Sequence, residues 1–402
     1  MEVIPEKVYL DDACYLPHHA VFKGNDTGGK IPVIRIHPEN LHLQHILWRP
    51  DPVAEVRDYR LLIVVYGTTS APYLALRTLI QLADDEQKAF PLGSTTVRNN
   101  SYVDDILAGG HSLESALKTQ RQLVALLGAG GFELSKWAAN VPELCPDGEA
   151  SAKLFHDREG VSTLGVLWNP ADDCFALRVT PITRVTGSIK RTVLSDVARF
   201  FDPLGWASPV LVYGKVFIQK LWMAGNDWDQ PLPEQLQSSW TRFAEALPRL
   251  NTLNISRLVN FDEHGAVELH GFSDASSCAY AAAVYLRCTD VSGKVSVSLL
   301  VAKTKVVPVR QVSVPRLELC GALLVARLLD MTARGLGLSG IPIFAWTDAA
   351  VVLAWIRSYP SRWKVFVANR IVKVQSLIPP RNWRYVPSAD NPADAATRHF
   401  TQ

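Results

Sequence analysis

The stretch LHGFSDASSCAYAAAVYL, residues 269–286, decides the fold of the C-terminal part of this chain. The residues at 270, 272 and 274 alternate with those at 269, 271 and 273, which is the period of a β-strand. Residues 279–286 are small, β-branched or aromatic, as in a buried strand. The stretch therefore predicts two strands joined by a tight turn, with Asp274 at the end of the first. A carboxylate in that place is costly to ionise unless a cation meets it.

Three more acidic residues occur in similar settings. Glu318 lies in PRLELCGALLVARLL, whose apolar residues recur with the spacing of a helix. Asp348 ends the strand IFAWTD, and Asp394 lies in VPSADNPADAATR after the strand RNWRYV. Asp390 is the alternative to Asp394, although the NP dipeptide between them indicates a helix start that turns Asp394 inward. Four carboxylates in such places predict a cluster that binds divalent metal.

Each acid alone has a structural explanation, because Glu318 fits a helix surface and Asp348 fits a helix cap. The ordered set is more specific. SDAS, PRLELCGALL, WTDAAVVLAWI and VPSADNPADAATR resemble, in this order, the ribonuclease H domain of BEL/Pao-type retrotransposon Pol proteins. The resemblance covers residues 267–398. It implies an α/β fold with a mixed five-stranded sheet and flanking helices, and endonucleolytic cleavage of the RNA strand of RNA–DNA hybrids.

The resemblance also implies the roles of particular residues. Two Mg²⁺ ions, or Mn²⁺ in their place, would be held by Asp274, Glu318, Asp348 and Asp394. Many ribonucleases H carry a histidine in the loop before the fourth acid, and here Ser388 and Arg398 stand nearest to its place. The nucleic acid would meet cationic side chains on or beside the helix WKVFVANRIVKVQSL, namely Arg362, Lys364, Arg370 and Lys373.

Residues 1–170 resemble the reverse transcriptase of the same elements. YVDD is similar to the polymerase turn that holds metal through Asp104 and Asp105, and YGTTSAP and GGFELSKWAAN resemble the segments beside it. Patterns predict strands at residues 42–48 and 59–66 and helices at 72–82 and 113–127. Polymerases of this class need a third carboxylate, but residues 19–44 contain no strand that ends in Asp. The region is therefore predicted to be a truncated palm that does not polymerise.

The middle of the chain is predicted to be a mainly helical connection, residues 171–262, before a ribonuclease H-like domain at 263–402. A hairpin is expected at 162–168 and 174–179, helices at 186–200, 210–223 and 233–247, and a strand-poor linker at 251–263. This connection is sometimes called the Pao peptidase region, yet it contains no peptidase motif. Its basic helix residues fit nucleic-acid contacts and ordinary solvated faces equally well.

Two other functions are open from the sequence. The chain fits a non-catalytic nucleic-acid-binding relic of a retroelement if its acids do not act. The triplet Asp26-Thr27-Gly28 matches an aspartic peptidase, although its polar neighbours favour a loop.

Composition narrows the class of protein. With 48% hydrophobic and 20% charged residues the chain is not disordered, and a net charge of +2 requires any nucleic-acid surface to be locally basic. Six cysteines without a C-x-x-C pair argue against zinc. The N-terminus has no apolar signal region, and no apolar run reaches the length of a membrane span. We expect an intracellular, non-secreted protein with reduced thiols.

Overall fold

The structure is a computed structural model that describes residues 2–3, 34–65, 67–103, 105–134, 137–145, 161–163, 165–182, 187–225, 227–259, 265–338 and 340–398. The chain divides into two compact units, residues 1–157 and residues 158–402. Each unit is described by itself, and the predicted domain limits at residues 170 and 262 stay predictions. None of the helices in the described ranges has the length and hydrophobicity of a membrane span.

The first unit contains a small antiparallel sheet of β1 (Glu2–Val3), β2 (His45–Trp48) and β3 (Arg57–Arg60). Its strand order is β1-β3-β2. The strand predicted at 42–48 is shorter than expected, because Pro38–Leu43 forms a 3-10 helix. Proline at the first helical position has the fixed φ that favours this start. The strand predicted at 59–66 corresponds to β3, which begins and ends earlier.

Three helices follow in the first unit: α1 (Ala71–Asp85), α2 (Pro91–Asn100) and α3 (Leu113–Ala129). The first and third confirm the predicted helices. The second was not predicted, because its sequence PLGSTTVRNN is rich in weak helix formers. It forms because it packs on its neighbour: a Cβ at Gly93 would lie 2.9 Å from the backbone carbon of Gln122 in α3. A short hairpin of β4 (Ser101–Tyr102) and β5 (Asp105–Ile106) carries part of YVDD.

The second unit begins with a four-stranded antiparallel sheet of β6 (Val161–Thr163), β7 (Val166–Asn169), β8 (Cys174–Ala176) and β9 (Asn254–Ser256). Two predictions need correction here. The single strand predicted at 162–168 is two strands, because Gly165 has a φ of +78° and reverses the chain. The linker predicted to be strand-poor at 251–263 supplies one short strand, β9, which pairs with β8.

Helices α4 (Lys190–Ala198), α5 (Ser208–Met223) and α6 (Glu234–Ala246) confirm the predicted helical connection. They share a buried core that includes Val193, Phe217 and Trp240. In the turn between α4 and α5, Asp202 accepts hydrogen bonds from the backbone amides of Trp206 at 3.0 Å and Ala207 at 2.8 Å. The turn FFDPLGW thereby becomes a rigid connector between α4 and α5.

The rest of the second unit is one five-stranded sheet with helices on it. Three strands form an antiparallel meander: β10 (Ala266–Ala275), β11 (Ala279–Thr289) and β12 (Val295–Val306). Two strands, β13 (Ile343–Thr347) and β14 (Trp383–Tyr385), add in parallel, which gives the order β12-β11-β10-β13-β14. The helices are α7 (Val314–Gly335), α8 (Ala350–Ile356) and α9 (Val365–Leu377). The predicted mixed five-stranded sheet with flanking helices is confirmed.

Two glycines allow α7 to lie very close to β10. A Cβ at Gly271 would lie 2.6 Å from Val325 Cγ2 and 2.7 Å from Leu329 Cδ1. On the helix side, a Cβ at Gly321 would lie 3.1 Å from the carbonyl oxygen of Asp274. Real side chains rarely tolerate such contacts, so glycine sets the helix–strand distance. The close approach brings the N-terminal part of α7 to the end of β10.

The edge strand β12 is covered by the turn between α4 and α5. The Ala302 amide donates to the Leu204 carbonyl over 2.8 Å, and Gly205 has a φ of +72° with no room for a Cβ beside the Ala302 carbonyl. Gln219 Nε2 donates to the Val307 carbonyl over 2.6 Å. Since an open strand edge invites pairing with other chains, this cover stabilises the sheet as one body with α5.

Candidate metal centre

Three of the four predicted acids converge at one end of the five-stranded sheet. Each of Asp274, Glu318 and Asp348 offers a carboxylate oxygen, and these oxygens all lie within 4.8 Å of one another. They come from the end of β10, from α7 and from the residue after β13. Because β10 and β13 run parallel, with Ser273 opposite Thr347, their carboxyl ends meet at the same edge. The sheet register thus produces the convergence.

Glu318 is buried in surroundings that disfavour its charged form. It is 8% exposed, and burial together with the charges of Asp274 and Asp348 raises the pKa of Glu318 to about 8. Its Oε2 atom is buried and has no hydrogen-bond partner within the described residues. A helix-surface glutamate would not need such a position, so the structural explanation of Glu318 as a solvated residue does not hold.

Asp274 is 5% exposed. Burial raises its pKa, a hydrogen bond from Thr397 lowers it, and the charges of Asp348 and Asp394 raise it again. The hydrogen bond runs from the Thr397 hydroxyl to Asp274 Oδ2. Asp274 therefore interacts electrostatically with Asp348, Asp394 and Glu318.

Asp348 is half-buried and accepts a hydrogen bond from Ser388 Oγ at 2.6 Å on its Oδ2 atom. Its Oδ1 atom is buried without a hydrogen-bond partner in the described part of the chain. The cap of α8 is Ala349, not Asp348, and the Ala349 amide donates instead to Thr347 Oγ1. The capping explanation of Asp348 is therefore wrong, and no donor among the described residues reaches its Oδ1 atom.

Asp394 lies nearby but outside the group of three. It is half-buried in the 3-10 helix Pro392–Ala396, and its Oδ2 atom pairs with Arg398 Nε at 2.5 Å. Asn391 caps this helix by accepting from the Ala393 amide at 3.2 Å, as the NP dipeptide predicts. Asp390 is exposed in the preceding 3-10 helix. Besides Asp348, the acid whose charge acts on Asp274 is Asp394 and not Asp390, so Asp394 is the better candidate of the two alternatives.

Three supporting residues were not recognised from the sequence in the roles they have. Asn391 is 4% exposed and donates to the Ser273 carbonyl at 3.0 Å, and Thr397 contacts Asp274. Ser388 was noted only for its position in the loop, and it contacts Asp348. The signal that was present is the run of hydroxyl and amide residues around the acids in VPSADNPADAATR.

The donor set fits a hard divalent cation. All candidate ligands are carboxylate oxygens, and Mg²⁺ and Mn²⁺ prefer oxygen. Two buried oxygens, Glu318 Oε2 and Asp348 Oδ1, have no hydrogen-bond partner in the described ranges, and neighbouring acids contribute to the raised pKa values of Glu318 and Asp274. Buried polar atoms are normally paired, and a cation would satisfy these two. Their identity as ligands stays a prediction.

The predicted nucleic-acid contacts differ in exposure. Arg362, Lys364 and Lys373 are exposed, and the last lies on α9. Arg370 is half-buried, with its guanidinium 3.5 Å from the centroid of the Phe366 ring and a hydrogen bond of 3.0 Å to the Phe366 carbonyl. Arg370 is therefore partly committed to its own helix.

The polymerase-like acids are placed differently. Asp105 is exposed at the start of β5, a strand of two residues. The predictions for Asp104 and for Asp26 fall on residues outside the described ranges. Within the described residues, Asp274, Glu318 and Asp348 form the one group of three potential metal-ligating side chains.

The sheet order and the converging carboxylates define a protein of the ribonuclease H-like class. Residues 189–349 match the family model of the Pao retrotransposon-like RNaseH-like domain, a match that includes Asp274, Glu318 and Asp348. This match confirms the resemblance to Pao-type retrotransposons that was read from the motifs of this part of the chain.

Among solved structures, the chain is similar to the foamy viral protease-reverse transcriptase in complex with RNA/DNA hybrid, with a TM-score of 0.49 and 13% identity. The similarity covers 92% of this chain and 44% of that one, so the present chain spans less than half of that protein. None of the curated proteins matches this chain.

Proposed function

We propose that the C-terminal part of the chain is a metal-dependent endonuclease that cleaves the RNA strand of RNA–DNA hybrids. The observation that carries the proposal is the convergence of Asp274, Glu318 and Asp348 within 4.8 Å, with two buried carboxylate oxygens that lack hydrogen-bond partners in the described residues. Burying three acids together is unfavourable in the absence of a cation. Such an arrangement is consistent with a binding site rather than with a contribution to stability.

In this proposal Asp274, Glu318, Asp348 and Asp394 hold two Mg²⁺ or Mn²⁺ ions. When bound, these ions supply an activated water and stabilise the leaving oxygen of the phosphodiester. The protein contributes position: β10 and β13 fix two carboxylates in register, and α7 holds the third. Asp394 would leave its ion pair with Arg398 and turn its carboxylate toward the ions.

The hybrid would lie against the exposed cations on or beside α9. Arg362, Lys364 and Lys373 are exposed and would meet phosphates, and Arg370 would add its charge from its place over Phe366. Phosphate contacts of this kind position a nucleic acid, whereas the 2′-hydroxyls of the RNA strand distinguish the hybrid from DNA.

The first unit is proposed to be a truncated palm without polymerase activity. Residues 19–44 contain no predicted strand that ends in the third acid, and Asp105 is exposed on a very short hairpin. The proposed organisation is therefore a palm remnant at 1–170, a helical connection at 171–262 and the nuclease at 263–402.

The test is cleavage of a hybrid labelled on its RNA strand by the full chain, over a range of Mg²⁺ and Mn²⁺ concentrations. The expected result is metal-dependent cleavage that is absent from double-stranded DNA and lost in Glu318→Gln. Asp330→Asn is the matched control, because Asp330 lies on the same helix and pairs with the exposed Arg334. An absence of cleavage at every metal concentration would leave the non-catalytic relic as the better description.

A further inference from the structure

The segment 388–398 contacts two of the converging carboxylates through hydroxyl groups. Thr397 donates from Oγ1 to Asp274 Oδ2, and Ser388 donates from Oγ to Asp348 Oδ2 over 2.6 Å. Thr397 is 2% exposed, and its hydroxyl is also 3.0 Å from the Asp394 carbonyl. Each hydroxyl therefore meets one oxygen of one candidate ligand.

The segment is anchored independently of these two contacts. Asn391 donates from Nδ2 to the Ser273 carbonyl at 3.0 Å, and Ser276 donates from Oγ to the Thr397 carbonyl at 2.7 Å. From β12, Thr304 donates to the Ala396 carbonyl at 3.3 Å. Because a side chain from β12, one from the β10–β11 turn and its own Asn391 hold its backbone, the segment presents its hydroxyls in fixed places.

We infer that Thr397 and Ser388 are positioning residues that orient Asp274 and Asp348 for a divalent cation, an inference that rests on the proposed function. A hydroxyl donor favours the ionised form of a carboxylate and fixes its rotation. In Asp348 the bond occupies Oδ2 and leaves the buried Oδ1 without a protein partner in the described residues. The acids that repel each other are thereby held together before a cation arrives.

Hydrogen bonds to metal-ligating carboxylates are worth about 10- to 100-fold in metal affinity. We therefore expect Thr397→Val, which keeps the shape of the side chain, to weaken Mn²⁺ binding by about that factor. Thr397→Ser restores the donor and should bind close to wild type. Ser388→Ala changes an exposed residue, so it folds normally and should show a smaller loss in the same direction.

The experiment is calorimetric titration of the full chain with Mn²⁺ and with Mg²⁺, paired with thermal unfolding of each variant without metal. Thr304→Val is the control, because it removes a buried hydroxyl that holds the same segment and that donates to a backbone carbonyl, with no carboxylate partner among the described residues. It is expected to lower thermal stability while leaving the Mn²⁺ affinity within about twofold of wild type.

Two results would overturn the inference. One is wild-type Mn²⁺ affinity in folded Thr397→Val and Ser388→Ala. The other is an equal loss of affinity in Thr304→Val, which would mean that segment placement, and not the hydroxyl contacts, matters. Both results leave the proposed function intact, since the wild type still binds metal. Absence of Mn²⁺ and Mg²⁺ binding by the wild type would overturn the inference and the proposed function together.

Discussion

The chain carries two acidic motifs, one around Asp274 and one at YVDD, and they differ in burial and in the length of the strand that carries them. Asp274 ends a strand of ten residues, is 5% exposed and lies within reach of two further acids. Asp105 begins a strand of two residues and is exposed. The comparison indicates that acidic side chains converge, against their mutual repulsion, where a long, buried framework holds them together.

The largest expected effect is that of Asp274→Asn, which is compared with exchanges of the two acids of the YVDD motif. Asp274→Asn should reduce hybrid cleavage to the background of a metal-free reaction, because a shared ligand is lost, while hybrid binding stays the same or strengthens. Asp105→Asn and Asp104→Asn should leave both cleavage and primer extension unchanged, since the wild type is expected not to polymerise. Cleavage and extension are measured on one preparation. Template-directed extension by the wild type would show that the missing third acid is supplied elsewhere, with Asp51 or Asp58 as candidates.

A second prediction tests the framework under Asp274. Gly271→Ala places a Cβ against Val325 and Leu329, so it should destabilise the protein by about 1–3 kcal/mol through overpacking. Gly335→Ala is the matched control, because it lies on α7 with nothing within 4 Å of the added Cβ and should be neutral or slightly stabilising. Chemical denaturation of the two variants gives the comparison, and equal stabilities would show that α7 is not held close to β10.

A third prediction uses the raised pKa of Glu318. The folded protein holds this proton up to about pH 8, whereas the unfolded chain releases it near 4.5. As pH rises above 4.5, the unfolded chain ionises Glu318 while the folded protein still holds the proton. The free energy of unfolding of the metal-free protein should therefore fall between these two pH values. Glu318→Gln should remove on the order of 1–3 kcal/mol of that loss. Urea unfolding in the presence of a chelator at pH 5 and pH 8 measures this loss. If the free energy of unfolding of Glu318→Gln changed with pH as much as that of the wild type, the raised pKa of Glu318 would be contradicted.

The smallest effect is expected at the nucleic-acid surface. Lys373→Ala should weaken hybrid binding a few-fold and reduce the salt slope by about one, because one phosphate contact is removed. Lys294→Ala is the control, since Lys294 lies in the β11–β12 turn at the other end of the sheet from Asp274. Binding is measured by fluorescence anisotropy at several salt concentrations. An equal effect of both changes would mean that the surface beside α9 is not specific.

Several elements of the nuclease could be predicted from the sequence because their patterns are long. The alternation around Asp274 and the apolar spacing around Glu318 each extend over at least ten residues, and both elements form as expected. Helix α2 and strand β9 were missed, because each is short, polar and held by a neighbour rather than by its own propensity. The roles of Ser388 and Thr397 were missed as well, since each depends on a contact with an acid that is distant in the sequence.

The most direct measurement of the central claim is the position of Mn²⁺ in crystals of the full chain soaked with the metal, located by its anomalous scattering. The expected result is density coordinated by Asp274, Glu318 and Asp348, with Asp394 turned toward it and away from Arg398. Density at Asp104 and Asp105 instead, or none at the three converging carboxylates at saturating Mn²⁺, would contradict the claim that this cluster is the metal centre.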